Sequence, residues 1–270
     1  MKKQITMWNK KDLLKNETKK MKKIIITIVL IASSTLQTWS YSWWEDTNIN
    51  ARLGYSIGGT APLDMPATIR KLNSYSPRTN IQVGIDFYKP LNTHWGMMVG
   101  FQMENKGMKT DATVKNYHME IKKGGNRLEG MFTGNVESKV TEWMFTIPVL
   151  ATYELGSHFR LKFGPYGSLL TSKEFSGVAY DGYLRKTNPT GNKILLGHEE
   201  GQRGLYNFSD DMRQLQWGIK AGCDYYFSQH WGAYAEVNWG ISGIFNRNFK
   251  TIEQTMYPIY GTFGLIYKLK

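Results

Sequence analysis

The residues with the chemistry for catalysis or metal binding are few, and their spacing is the first thing to weigh. His118 and His198 fall in long connections, where Ser172, Ser176 and Ser209 offer hydroxyls and Glu199, Glu200, Asp210 and Asp211 offer carboxylates. A hydroxyl, a base and an orienting carboxylate are what acyl transfer by an activated serine needs. No nucleophile-elbow signature surrounds any of these serines. His198-Glu199-Glu200-Gly201 lacks the second histidine of a zinc-protease helix. His94, His158 and His230 recur in Asn-Thr-His94-Trp, Gly-Ser-His158-Phe and Ser-Gln-His230-Trp. Imidazole is a common zinc ligand, but no acidic residue recurs beside all three. They read as turn residues next to interfacial aromatics. Lys122-Lys-Gly-Gly-Asn-Arg127 has no strand–loop–helix context for a phosphate loop and reads as the tip of a hairpin. The single cysteine, Cys223, excludes an internal disulfide. The expectation is a non-enzyme with no catalytic residue, no metal and no cofactor.

One charged set does form a pattern. Arg52, Arg160, Lys162, Lys220 and Lys268 share an alternation parity with Asp86, Glu104, Glu142, Asp224 and Glu236. Isolated charges in a confined interior are costly, whereas mutually paired ones are tolerated. Five of each sign make a near-neutral network.

The elements that must carry this network repeat with period two. Ile81, Val83, Ile85 and Phe87 alternate with Gln82, Gly84, Asp86 and Tyr88. Trp143, Phe145, Ile147, Val149, Ala151 and Tyr153 share one face further on, and Leu215 to Phe227 repeat the pattern. Successive strand side chains point to opposite faces. Eight such ribbons span roughly 49–59, 79–89, 95–108, 138–153, 159–170, 213–227, 231–243 and 255–269. Three connections are very short. The others run to about 20 residues after the first strand, 30 after the third, 42 after the fifth and 11 after the seventh. Short turns at one end and long loops at the other, on an even number of strands, describe a transmembrane barrel. Phe87, Trp95, Tyr153, Phe159, Tyr225, Phe227, Trp231 and Tyr267 lie on the apolar parity beside the short turns. Trp143, Trp217 and Trp239 lie near the long-loop ends. Together they read as two interfacial girdles. An eight-stranded barrel has room inside only for its own side chains. The lumen should therefore be plugged. The expected fold is an all-β, eight-stranded antiparallel up-and-down transmembrane β-barrel with long extracellular loops, its termini and short turns periplasmic.

The net charge of +12 is mostly N-terminal, for nine lysines against two acids fall before residue 43. Nucleic-acid binding is not indicated, because it needs a basic face on the folded part. Met21-Lys22-Lys23, the apolar run Ile24 to Ala32 and the small residues Ser40 and Ser42 have the layout of a secretory signal peptide. The expected division is an upstream extension plus signal peptide over 1–42, with Met21 as the start and cleavage before Trp43, then a barrel domain over 43–270.

Three stretches resemble one family. Glu142-Trp-Met-Phe-Thr-Ile-Pro148-Val-Leu, Phe163-Gly-Pro-Tyr-Gly-Ser-Leu-Leu170 and Gln216-Trp-Gly-Ile-Lys-Ala-Gly222 are similar, in order, to strands of the PorT-like outer-membrane β-barrel domain of Bacteroidetes. The C-terminal Gly264, Tyr267 and Leu269 are similar to the signal read by the outer-membrane insertion machinery. Phe263 and the terminal Lys270 depart from that pattern. The resemblance implies outer-membrane localisation, lipid and the insertion machinery as partners, and little about activity, since fold does not fix function. The reading is a barrel that acts in envelope structure or through extracellular-loop binding, its ligand unassigned. A narrow solute channel, a component of a secretion complex and, last, a lipid-modifying enzyme are the alternatives.

Overall fold

The strands of the computed structural model close on themselves. It describes residues 46–63, 66–186, 190–249, 251–252 and 254–270. The elements are β1 (Asn48–Ala61), β2 (Ile69–Pro77), β3 (Ile81–Pro90), β4 (Trp95–Lys123), β5 (Asn126–Leu155), β6 (Phe159–Lys186), β7 (Lys193–Leu196), β8 (Gly204–Asn207), β9 (Leu215–Tyr226), β10 (Trp231–Gly240) and β11 (Tyr257–Lys268). Hydrogen-bonded neighbours follow the ring β1-β3-β4-β5-β6-β9-β10-β11, and β11 pairs back onto β1 with Asn50 opposite Lys268 and Gly54 opposite Gly264. Every pairing is antiparallel. Closure satisfies the backbone of every spanning strand, as a bilayer demands. The eight-stranded up-and-down barrel expected from the alternation is what forms. Asn48–Lys270 is one compact unit, and the leader read over 1–42 lies outside the described residues.

Inside and outside follow parity through the spans, until Asn105 and Gly107 on β4 are buried as well. Even-numbered residues such as Arg52, Gln82, Glu104, Thr146, Lys162, Lys220 and Glu236 are buried, while Leu53, Ile85, Phe101, Ile147, Phe163, Val237 and Leu265 are exposed. An exterior of large apolar side chains suits lipid, not water.

At the long-loop end the strands run further than expected. β4, β5 and β6 run for 29, 30 and 28 residues, where a spanning strand needs ~9–11. The connection of about 30 residues after the third strand has the hairpin tip that Lys122–Arg127 suggested. It is a continued hairpin closed by Gly124-Gly125, with φ of 57° and 81°, the left-handed pair that a tight hairpin turn requires. The connection after the fifth strand likewise begins as a continuation of β6 and then adds β7 and β8, which pair back onto it. β2 and β3 both pair with β4 and are two pieces of one strand. This extension holds the larger apolar core among the described residues, in which Met108, Val136, Phe175, Ala179, Leu184 and Phe208 pack together.

Candidate functional site

The lumen is filled by a charge network centred on Arg52. Its guanidinium lies 2.7 Å from Asp86, 2.9 Å from Asp224 and 3.0 Å from Glu236. Lys162 bridges Asp224 at 2.6 Å and Glu236 at 3.1 Å. Lys220 reaches Glu236 at 2.9 Å and the Gln102 carbonyl at 2.7 Å. Gln82 donates to Gln102, Glu104 and Glu236, and accepts from the Tyr234 hydroxyl at 2.7 Å. Tyr234 in turn lies under Arg52, 4.1 Å from ring centre to guanidinium carbon. These groups come from β1, β3, β4, β6, β9 and β10, and the side chains of the Arg52, Lys162 and Lys220 ion pairs are at most 1 % exposed. Such a crowd of charge in low dielectric is stable only because each member is paired.

Two members are placed otherwise than the sequence suggested. Lys268 is only half-buried at the short-turn rim, opposite Asn50, because β11 ends there. Lys106 takes the fifth cationic place instead. It bonds Glu104 at 3.0 Å and is 2 % exposed, and Thr146 donates to the same carboxylate oxygen at 2.6 Å. Its position two residues after Glu104, on the same parity, was the signal. Arg160 sits nearer the rim, bonded to Glu154 at 2.6 Å and stacked on Tyr88 at 3.6 Å. Glu142 accepts from Gln216 at 2.8 Å, and its other oxygen has no hydrogen-bond partner among the described residues.

The aromatics bracket this network on the outside. Trp95, Trp217, Tyr225, Phe227, Trp231, Trp143, Trp239 and Tyr267 are exposed, whereas Phe87, Tyr153 and Phe159 are half-buried between neighbours. The three turn histidines are spread over separate hairpins, each against a tyrosine of the adjoining strand. His94 meets Tyr153, His158 meets Tyr225 and His230 meets Tyr267, at 5.8, 6.4 and 5.9 Å between centroids. Gly264 lies across from Gly54 beneath the Tyr234 ring, while Tyr267 and Leu269 face outward.

The hydroxyls and histidines at the long-loop end do not assemble as a triad would. His118 contacts the Thr251 carbonyl and Glu129. His198 bonds Asp181 at 2.8 Å on an exposed surface. Ser176 bonds Glu174, and the Ser209 hydroxyl accepts from the Phe175 amide. Among the described residues no group of three or more His, Cys, Asp and Glu is placed to hold a metal ion.

A family model described as "Outer membrane protein beta-barrel domain" matches residues 37–246. No curated protein matches the chain. Among solved structures, the chain is similar to Ail, the attachment invasion locus protein of Yersinia pestis, at 9 % identity over 83 % of this chain and 97 % of that one, with a TM-score of 0.34. It is similar to the outer membrane protein OprG from Pseudomonas aeruginosa at 17 % identity, 82 % and 95 % coverage and a TM-score of 0.32. The outer membrane protease OmpT from Escherichia coli gives 13 % identity, 82 % and 97 % coverage and a TM-score of 0.33. Likenesses this distant carry no argument about activity. The family match speaks to membership and place: the chain belongs to the outer-membrane β-barrel family and resides in the outer membrane.

Proposed function

We propose that this member of the outer-membrane β-barrel family is a non-conducting, non-enzymatic scaffold that presents the β4–β5–β6 extension at the cell surface as a binding platform. The observation that carries the first half is the Arg52-centred network, which occupies the lumen from six of its eight walls. A permeating ion would have to displace pairs that are already desolvated. The second half rests on β4, β5 and β6, which continue well past the span as an ordered sheet with its own apolar core. Loops and projections on a rigid scaffold are where binding residues concentrate. With Asn48 and Lys268 at the short-turn end, the short turns face the periplasm and the extension faces outward. The C-terminal Gly264, Tyr267 and Leu269 would be read by the insertion machinery during assembly, and the three matching strand motifs favour a PorT-like origin. The scattered bonding of His118, His198 and the serines supports a non-enzymatic reading. Single-channel recording of purified protein in planar bilayers tests the scaffold directly. No steady conductance above background is expected, and a stable open level would overturn the closed-lumen reading in favour of a narrow channel.

A further inference from the structure

The ring of main-chain hydrogen bonds is complete through the span but not above it. β1 leaves β3 after Tyr55, which is paired with Ile81, and the last main-chain bond across this seam runs from the Ser56 amide to the Asn80 carbonyl at 2.8 Å. Beyond it, β1 from Ile57 to Ala61 pairs only with β11, and β2 pairs only with β4. No ladder joins β1 to β2 among the described residues. Two β1 groups further along that edge are met by side chains instead. The Tyr75 hydroxyl donates to the Gly58 carbonyl at 2.6 Å, and the Thr60 amide donates to the Met108 sulfur at 3.2 Å. An unzipped seam in a barrel wall is a costly feature unless the gap is used, because edge groups otherwise seek partners.

Behind the seam lies a cavity of about 360 Å³, walled by Met108, Val136, Phe175, Tyr206, Phe208 and Ile252 among others. No Asp, Glu, Lys, Arg or His lines it among the described residues. Its size falls within the ~300–1,000 Å³ of ordinary ligand pockets. The apolar belt leads to its mouth: Ile57 and Ile259 face outward at 46 % and 40 % exposure, and Leu72 and Tyr75 at the opening are exposed by 48 % and 40 %. Arg70 and Lys71, both exposed, sit between Ile69 and Leu72 on the same strand.

We infer that this cavity takes the alkyl chain of an anionic amphiphile, entering sideways through the β1–β2 seam at the membrane surface with its acidic head beside Arg70 and Lys71. The seam opens toward lipid, and so offers alkyl chains rather than water-soluble solutes. A lining free of charge stabilises a chain by removing it from water, while the basic pair outside attracts an acid head without desolvating it. The inference rests on the outward orientation proposed above but not on the closed lumen. Its ligand class has two sources, a free fatty acid or an acyl chain of a resident lipid.

The test uses the full-length protein in vesicles of branched-chain diphytanoyl phosphatidylcholine, with protein-free vesicles as the blank and the fluorescent fatty acid cis-parinaric acid as probe. Saturable binding is expected. Ala112 lines the cavity and pairs with Leu72, so Ala112→Phe should fill the space and weaken binding by about tenfold or more, roughly 1.4 kcal/mol. Leu72→Trp, at an exposed site, narrows the mouth and decides the matter if Ala112→Phe does not fold, as judged by the gel mobility difference between heated and unheated samples. Displacement of the probe by added dipalmitoyl phosphatidylglycerol assigns the chain to the leaflet, and its absence assigns it to a free acid. No saturable binding, or binding that neither variant alters, overturns the inference. Conductance together with parinaric acid binding would remove only the closed-lumen reading.

Discussion

Arg52 on β1 and Asp86 on β3 form an ion pair of 2.7 Å inside the barrel, and the same guanidinium reaches Glu236 and Asp224, two and three strands away in the other direction round the ring. One side chain therefore ties the two sides of the chain's own closure, where β1 meets β11, to the strands beyond it.

Removing that cation leaves three buried carboxylates facing one another with only the lysines to balance them. Arg52→Met should cost about 3–5 kcal/mol, the usual penalty of breaking a buried pair from one side. Arg52→Met combined with Asp86→Asn should cost less than the sum of the single changes, since contacting residues couple. Urea unfolding in lipid vesicles measures both. Equal or additive losses would mean that the guanidinium is not the hub of the network.

Gly54 makes room for that hub. A Cβ there would overlap the Tyr234 hydroxyl and press on its ring, and Tyr234 is the face on which Arg52 rests. Gly54→Ala should destabilise by about 1–3 kcal/mol, as overpacking does. Tyr234→Phe removes the nearest clashing atom at the expense of the bond to Gln82, worth about 0.5–1.5 kcal/mol. The double variant should consequently be more stable than the sum of the two. The same vesicle unfolding assay reads the result, and a strictly additive pair would show that the glycine serves some other end.

Much of this was legible from alternation alone. The eight spans keep one parity apart from the outer end of β4, where Asn105 and Gly107 are buried, so the burial of Arg52, Asp86, Glu104, Lys162, Lys220, Asp224 and Glu236 follows from counting in twos. Lys106 lies where the span gives way to the extension, and parity does not say where a strand reaches the rim, which is why Lys268 shares the pattern but not the lumen. The tip of the β4–β5 hairpin is legible at Gly124-Gly125, but bulges disguise how far β4 and β6 run as strands. Asn116 and Asp181 have φ of 51° and 45°, and the register slips at Val114/Tyr117 and Trp143/Met144. Each extra residue reverses which parity faces inward. Burial accordingly passes from Val114 to Met119 on β4 and from Leu170 to Phe175 on β6, and a pattern that switches parity reads as loop. The cavity and its seam arise from strands far apart in sequence, where no local period can point.

The extension should respond to alkaline pH in a definite direction. The Tyr180 hydroxyl on β6 donates a short hydrogen bond to Asp111 on β4, across the intervening β5. That bond, more than partial burial, pushes the Tyr180 phenol from 10.0 up to about 12. The neutral phenol is the form the fold holds, so its contribution is complete below pH 10. It is lost as pH rises toward 12, because the unfolded chain ionises first. Carbon-13 NMR of ring-labelled tyrosine should show one resonance titrating near 12 that Tyr180→Phe removes, with exchange protection of the extension's amides falling over the same interval only in the parent protein. A Tyr180 resonance titrating near 10 would place the hydroxyl in water.

The lipid-facing parity makes the strongest demand. Ile147 is 50 % exposed in the middle of the β5 span, and Trp231 is 46 % exposed at the first residue of β10. In water the two positions would accept an arginine equally well, and neither change would matter much, for surface substitutions usually fall within about 0.5 kcal/mol. In a bilayer they differ by depth. An arginine at mid-span must drag its charge to the interface or thin the lipid, costing about 2–4 kcal/mol, whereas one at the interface costs about 0–1 kcal/mol. Ile147→Arg should therefore be the far more damaging of the two in vesicle unfolding experiments. Thr146→Val, one residue away but facing the lumen, separates lipid exposure from general intolerance of the strand: its loss reflects the bonds to Glu104 and Ser168, and should not change when thinner-tailed lipids are used. The cost of Ile147→Arg should fall in thinner bilayers, because the charge then has less far to reach. If it stays constant across lipid thickness, the odd-numbered face is not the one in contact with hydrocarbon.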